Sequence, residues 1–105
     1  MDLHQLGVAL AAASVLSPTS FPVHHLEVFL YVAQKGRCTY EDIQEELNLS
    51  NSTVSRTVHA LGVMHRKGYK GLGLLSLDRD PEEGRRFLVS LSDKGQKLKR
   101  QLELI

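Results

Sequence analysis

The chain has 105 residues, 42% of them hydrophobic and 24% charged, with a formal net charge of +1. That length makes one domain with a modest core, and the near-neutral balance excludes bulk charge as the attraction to any polyanion. The single cysteine, Cys38, excludes an internal disulfide and fits a reducing cytoplasm.

Residues Asp2 to Leu16 spell a helix, apolar over most of its circumference from Val8 to Leu16, and such a helix is expected to be buried. The alanine run is a poor secretion signal, because no Lys or Arg precedes Lys35 and Asp2 is acidic. No apolar run is long enough to span a bilayer. Ser17, Pro18, Thr19, Ser20 and Pro22 then break the pattern, with Ser20 or a neighbour expected to cap the next helix and Pro22 expected in its first turn. That second helix, from about Pro22 to Lys35, stops at Gly36 and offers Leu26, Phe29, Leu30 and Val32 as the floor of the core.

The segment TYEDIQEELNLSNSTVSRTVHALG carries the strongest signal. Its apolar residues Ile43, Leu47, Leu49, Val54, Val58 and Leu61 have the spacing of two short helices closing on a shared core over a tight turn. Thr39 with Asp42 three residues on is a relative of the capping box, and Ser50 suits the cap of the second helix. Asn48 sits where the turn needs a positive φ, which Asn tolerates better than most residues. Gln44 occupies a position where helices that approach closely favour Ala or Gly, so it must bend outward or widen the crossing.

At about 100° per residue along the second helix, Asn51 to Leu61, the side chains of Val54, Val58 and Leu61 point one way. Ser52, Arg56 and His59 point the other, flanked by Thr53 and Ser55. A face of hydroxyls, one Arg and one His, with no carboxylate, suits base edges and phosphates in a major groove; plain solvation is the alternative for such a face. Charge is also unevenly spread. From Leu47 to Leu77 the charged residues are Arg56, Arg66, Lys67 and Lys70, all basic, with His59 and His65 beside them. Met1 to Glu46 carries only Lys35 and Arg37 against Asp2, Glu27, Glu41, Asp42, Glu45 and Glu46. A basic face built on one helix and its connector is the footprint of a phosphate-tracking surface.

After the connector GVMHRKGYKGLG, the runs LLSL and FLVSL read as paired strands around the polar tip DRDPEEGRR, with Asp80, Pro81 and Gly84 marking the turn. Helix, turn, helix, connector and hairpin in that order describe a winged helix-turn-helix. The tip carries Arg79, Arg85 and Arg86, and an Arg on an extended hairpin can enter a minor groove. Four acids, Asp78, Asp80, Glu82 and Glu83, share the tip; one of them near the wing Arg would fix its side chain. The last helix, Asp93 to Leu104, aligns Leu98 and Leu102 with Ile105 among Lys97, Lys99 and Arg100. Spare apolar surface on two terminal helices suggests a homodimer, which would set two recognition helices about one DNA turn apart; packing on their own domain is the alternative.

Other chemistries find little support. Adjacent His24 and His25 point about 100° apart on a helix, a poor geometry for one metal ion. GYKGLG echoes a glycine phosphate loop but lacks the Lys-Ser/Thr ending and the strand before it. No nucleophile elbow occurs, and Cys38 has no partner thiol. Neither a catalytic site nor a cofactor is expected, and nothing in the residues singles out a small-molecule effector.

The wording LEVFLYVAQKGRCTYEDIQEELNLSNSTVSRTVHAL, followed by the hairpin and LVSLSDKGQKL, resembles the multiple-antibiotic-resistance repressor family, written MarR. The resemblance covers residues 25–100, sharpest in NLSNSTVSRTV and EGRRFLVSLSDKG. It implies that Leu91, Ser92 and Gly95 match the family's Leu-Thr-x-x-Gly signature ahead of its last helix here. It also implies that Glu83 and Arg85 match its acid-x-Arg pair, which favours Arg85, ahead of Arg86, as the wing residue. The connector is longer and richer in Gly than the family pattern, and the family's long dimer-forming helices lie beyond the part matched.

The expectation is thus an α+β fold, a three-helix core plus a β-hairpin wing with extra N- and C-terminal helices. Residues 1–20 form the N-terminal helix and break, 21–91 the winged-helix core and 92–105 the C-terminal helix of a single domain. The expected function is sequence-specific recognition of double-stranded DNA by a cytoplasmic, homodimeric transcriptional regulator, a repressor. Ser52, Ser55, Arg56 and His59 would face the groove, Thr53, Arg66, Lys67 and Lys70 would meet phosphates, and Arg85 or Arg86 would work in the wing. The rival expectation is a winged helix used as a protein-contact module that binds polymerase or another regulator without reading sequence.

Overall fold

Two capped helices joined by a left-handed turn organise the molecule. The computed structural model describes residues 2–14, 22–62, 71–84 and 86–105. Thr39 accepts a hydrogen bond from the Asp42 amide at 3.1 Å while the Asp42 carboxylate accepts from the Thr39 amide at 2.9 Å, a complete capping box. It starts α3, Tyr40–Leu47, which ends at Asn48 with φ 54° and ψ 51°. The amides of Asn48 and Leu49 both return to the Gln44 carbonyl, closing the turn before Ser50 caps α4, Asn51–Leu61. Each of these expectations from the sequence is met residue for residue, because each rests on chemistry between near neighbours.

The elements preceding this pair are α1, Leu3–Ser14, α2, Val23–Lys35, and a short strand β1, Arg37–Thr39. After it come β2, Leu75–Arg79, β3, Phe87–Leu91, and α5, Asp93–Glu103. The strands form an antiparallel sheet in the order β1-β3-β2. Cys38 faces Val89 in one ladder and Leu77 faces Val89 in the other. Strand β1 has no counterpart in the sequence reading. It joins the base of the hairpin to the residue that caps α3, so the wing is hydrogen-bonded to the start of the helical pair.

The core is formed by Ile43 of α3, Val54, Val58 and Leu61 of α4, Val28, Phe29 and Val32 of α2, and Leu74, Leu75 and Val89 of the hairpin, all fully buried. Burying each such side chain contributes on the order of 1.5–3 kcal/mol. Leu47 and Leu49 pack at its edge. The floor supplied by α2 differs from expectation: Leu30 is exposed and Leu26 half-buried, while Val28 and Ala33 take the inner positions beside Phe29 and Val32. The helix is turned so that the 28-29-32-33 stripe meets α4 and β3, and Leu30 lines a groove against α5.

Helix α1 is the larger correction. Its apolar circumference from Val8 to Leu16 predicts burial, yet Val8 and Leu10 are exposed, as are Leu3 and Leu6 before them, and among the described side chains Ala9 is its buried position. The helix lies outside the core cluster, and Gln5 reaches the far end of the chain, its Nε2 donating to the Ile105 carbonyl at 2.8 Å. Leu16 and Ser20 fall outside the described residues. Pro22 is the residue before α2 rather than part of its first turn and gives it no side-chain cap.

The Gly-rich connector has a structural reason at its ends. Leu72, Gly73 and Leu74 donate to the carbonyls of Ala60, Gly62 and Leu61 at 3.0, 2.8 and 2.7 Å, satisfying the orphan acceptors at the end of α4. The return passes so close that a Cβ on Gly71 would collide with the Gly62 carbonyl. A second close approach follows at α5, where Ser92 caps the helix by accepting from the Gly95 amide and also donates its hydroxyl to the Gly73 carbonyl. Gly95 lies against the Leu74 carbonyl, leaving no room for a side chain.

Candidate nucleic-acid interface

Helix α4 divides cleanly by burial. Val54, Thr57, Val58 and Leu61 face the core, Ser52 and Arg56 are exposed, and Thr53, Ser55 and His59 are half-buried. The Ser50 hydroxyl accepts from the Thr53 amide at 3.2 Å and donates to the Thr53 Oγ1 at 2.9 Å, with the Ser52 hydroxyl 3.2 Å away. Three hydroxyls thus cluster at the positive end of the helix dipole. Arg56 lies back along the helix, its Nε donating to the Ser52 carbonyl at 3.3 Å. His59 does the same, with Nδ1 2.7 Å from the Ser55 carbonyl. A carbonyl can only accept, so the His59 proton in this contact sits on Nδ1 and Nε2 occupies the opposite edge of the ring.

The wing is organised by Asp80. Although it stands in a polar tip, it is 7% exposed. Its Oδ2 accepts from the Arg86 Nη2 at 2.6 Å and Nε at 3.0 Å, and its Oδ1 accepts from the Glu82 amide at 2.9 Å. The Asp80 amide donates to the Arg86 carbonyl and the Arg86 amide to that of Glu83, which closes the turn. The Arg86 guanidinium, followed by the Glu82 amide, holds the Asp80 carboxyl below its ordinary range. Arg79 is also tied down, its Nη1 donating to the Gly84 carbonyl at 2.7 Å and its guanidinium lying 5.0 Å from the Phe87 ring centroid. Of the tip arginines described, Arg86 keeps nearly half its side chain in solvent, but Asp80, Glu83 and Glu41 temper its charge.

Between the wing and the helical pair lies a cleft of about 400 Å³ lined by Thr39, Tyr40, Gln44, Asn51, Arg86 and Phe87, with Glu41 and Glu83 at its edge. Gln44 turns into this cleft, which resolves the misfit in the sequence. Tyr40, which the sequence reading passed over, packs against the core and against the wing. Its ring stands 6.3 Å from that of Phe87, and burial raises its pKa. The signal was an aromatic residue directly after a helix cap.

The structure therefore places Ser52, Thr53, Ser55, Arg56 and His59 on one helix and sets Arg86 on the adjoining wing. Arg66, Lys67, Lys70 and Arg85 lie outside the described residues. Among the described residues no cluster of His, Cys, Asp and Glu has the arrangement of a metal site, and no helix is long and apolar enough to cross a membrane. A second groove of about 440 Å³, mostly apolar, runs between Phe29, Leu30 and Ala33 of α2 and Leu102 of α5.

No protein-family model matches the sequence, and no curated protein matches it. Solved structures do. A mutant of MarR from E. coli complexed with operator DNA superposes with a TM-score of 0.66 at 19% identity, over 85% of this chain and 58% of that one. The PcaV transcriptional regulator from Streptomyces coelicolor, in complex with its natural ligand, gives 0.64 at 26% identity, over 99% and 74%. Reduced AbfR bound to DNA gives 0.66 at 19%, over 90% and 63%. The chain thus spans less than two thirds of the length of some of the structures it matches. Its described helices and three-stranded antiparallel sheet follow the arrangement of these regulators, and the chain has a MarR-like winged helix-turn-helix fold.

Proposed function

We propose that the protein is a sequence-specific double-stranded DNA-binding transcriptional regulator that represses by occluding polymerase. The observation that carries the reading is the division of α4: one face wholly committed to the core, the other free of carboxylates and presenting exposed Ser52 and Arg56 beside the hydroxyl cluster at its N-terminus. Such a helix fits the major groove with Ser52, Ser55, Arg56 and His59 toward base edges. Thr53 and the connector residues Arg66, Lys67 and Lys70 would meet phosphates, and Arg85 or Arg86 would enter the minor groove. The DNA complexes of MarR and AbfR support the reading by likeness of fold.

The same reading includes a symmetric homodimer. Leu3, Leu6, Val8 and Leu10 on α1 leave apolar surface in water, and a second copy covering it would place two recognition helices on a palindromic site. The test is selection from random duplexes followed by a salt titration. Enrichment of a palindrome, steep weakening with salt and a loss of about 1–3 kcal/mol with relaxed base preference in Arg56→Ala are the expected results. An empty selection at low salt sinks the proposal. The acidic surroundings of Arg86, with Asp80, Glu83 and Glu41 near it, favour one rival, a protein-contact module whose binding would be insensitive to Arg56.

A further inference from the structure

We propose that Glu41 and Glu83 work against the duplex: they border the cleft that the sugar-phosphate strand dividing the two grooves would cross, and hold its grip below what Gln44, Asn51 and Arg86 supply. This deepens the DNA-binding reading above and rests on it. With α4 in the major groove and the wing in the neighbouring minor groove, one strand must cross the space between them. That space is the cleft of about 400 Å³, to which the helical pair contributes Gln44 and Asn51 and the wing contributes Arg86. Asn51 and Arg86 are exposed and Gln44 is half-buried. Side-chain amides and a guanidinium can donate to phosphate oxygens without reading a base. Arg86 commits Nη2 and Nε to Asp80 at 2.6 and 3.0 Å. No described residue accepts from its Nη1, so Nη1 is the nitrogen it can offer where the strand borders the minor groove.

The two carboxylates have no comparable task inside the protein. Glu83 gives the turn its backbone carbonyl, which accepts from the Arg86 amide at 2.9 Å, but the side chain that grips Arg86 is that of Asp80. Glu41 lies in the first turn of α3, where Thr39 and Asp42 already complete the cap. Both glutamates are exposed, and neither carboxylate accepts a hydrogen bond from a described residue. After Asp80, theirs are the charges that act on Arg86 across the cleft. A carboxylate beside a phosphate repels it whatever the base sequence. Random duplex is held almost wholly by its phosphates, so a duplex without base contacts is the first to fall free when that grip is reduced.

The experiment measures binding of the full chain, across a salt series, to the duplex that the wild type selects and to random duplex. Glu41→Gln and Glu83→Gln should each tighten both complexes about two- to fivefold, the span of one exposed charge contact. The gain should be largest at low salt and so steepen the salt dependence. A damaged fold cannot produce a gain in affinity. Glu103→Gln makes the same change in net charge on α5, beside the other groove, and should leave both affinities unchanged. Gln44→Ala and Asn51→Ala should each weaken both complexes about three- to tenfold, the span of one hydrogen bond, with the selected sequence unaltered, as a strand contact requires. Weaker binding by Glu83→Gln overturns the proposal, because the carboxylate then serves to hold a wing arginine. So do silent glutamate variants, or an equal gain in Glu103→Gln. An altered base preference in Gln44→Ala or Asn51→Ala overturns it too, since the cleft then faces bases. All of these leave the DNA reading standing. A wild type that enriches no duplex at low salt overturns both, and it does so before any substitution is made.

Discussion

The Asp80 carboxylate holds the Arg86 guanidinium from within the wing tip, its Oδ2 2.6 Å from Nη2 and 3.0 Å from Nε. The same carboxylate is sheltered while the arginine it grips is half in water. The pair shapes a loop and, at the same time, limits the positive charge that the loop can present.

The Asp80 pKa is lowered in the folded protein by Arg86 and the Glu82 amide. A lowered carboxylate stabilises the fold above its unfolded value and loses that contribution as pH falls through the folded one. Thermal unfolding of wild type and Asp80→Asn should therefore differ by a constant amount above about pH 5. The gap should narrow below the ordinary value of 3.8 and close beneath the folded pKa. A gap that persists undiminished in strong acid would show that the carboxylate charge is irrelevant to the tip.

Gly95→Ala should destabilise the protein by about 1–3 kcal/mol, the range for forcing atoms into a packed site. The added Cβ meets the Leu74 carbonyl, a backbone atom that cannot rotate away. Urea denaturation measures the effect, and a neutral substitution would mean that α5 can lift from the hairpin freely. The position is the Gly of the Leu-Thr-x-x-Gly signature that this chain matches, so the signature here has a steric reason.

Cys38 is 3% exposed, and its thiol is pushed up to about 11 by burial first and by Asp42 second, with Lys35 opposing. The thiolate is the reactive form, so at neutral pH a thiol reagent should label the native protein far more slowly than the urea-unfolded chain. Equal labelling rates would show that the thiol is open to solvent in the folded protein.

Leu6→Glu on α1 should convert a dimer to a monomer, read by sedimentation, with little change in helical content. Leu6 is nearly half exposed within one chain, so the substitution costs the isolated fold little. An unchanged sedimentation coefficient, whether dimeric or monomeric in both proteins, would remove α1 from any interface.

What the sequence revealed and what it hid divide along a physical line. Thr39 with Asp42, Asn48, Ser50 and Gly36 were legible because a cap or a positive φ is settled by residues within a turn of one another. Strand β1 was not, because three residues carry no periodic signal and their partners lie some fifty positions onward. The inner face of α2 was misjudged because Val28 and Leu30 are equally apolar, and the rotation between them is set by what α4 and β3 present. Among four acids on the wing, the choice of Asp80 as the partner of Arg86 depends on the closure of the turn. Tyr40 owes its place beside the wing to Phe87, distant in sequence.

The stitching of Leu72, Gly73 and Leu74 to the last carbonyls of α4 has an evolutionary consequence. Because departure and return are fastened to each other, the register between α4 and the hairpin does not depend on the number or kind of residues threaded between them. Insertions there cost little loop-closure entropy. That interval is a place where descendants of this chain can acquire basic residues, or lose them, while inheriting the helical pair and the hairpin intact.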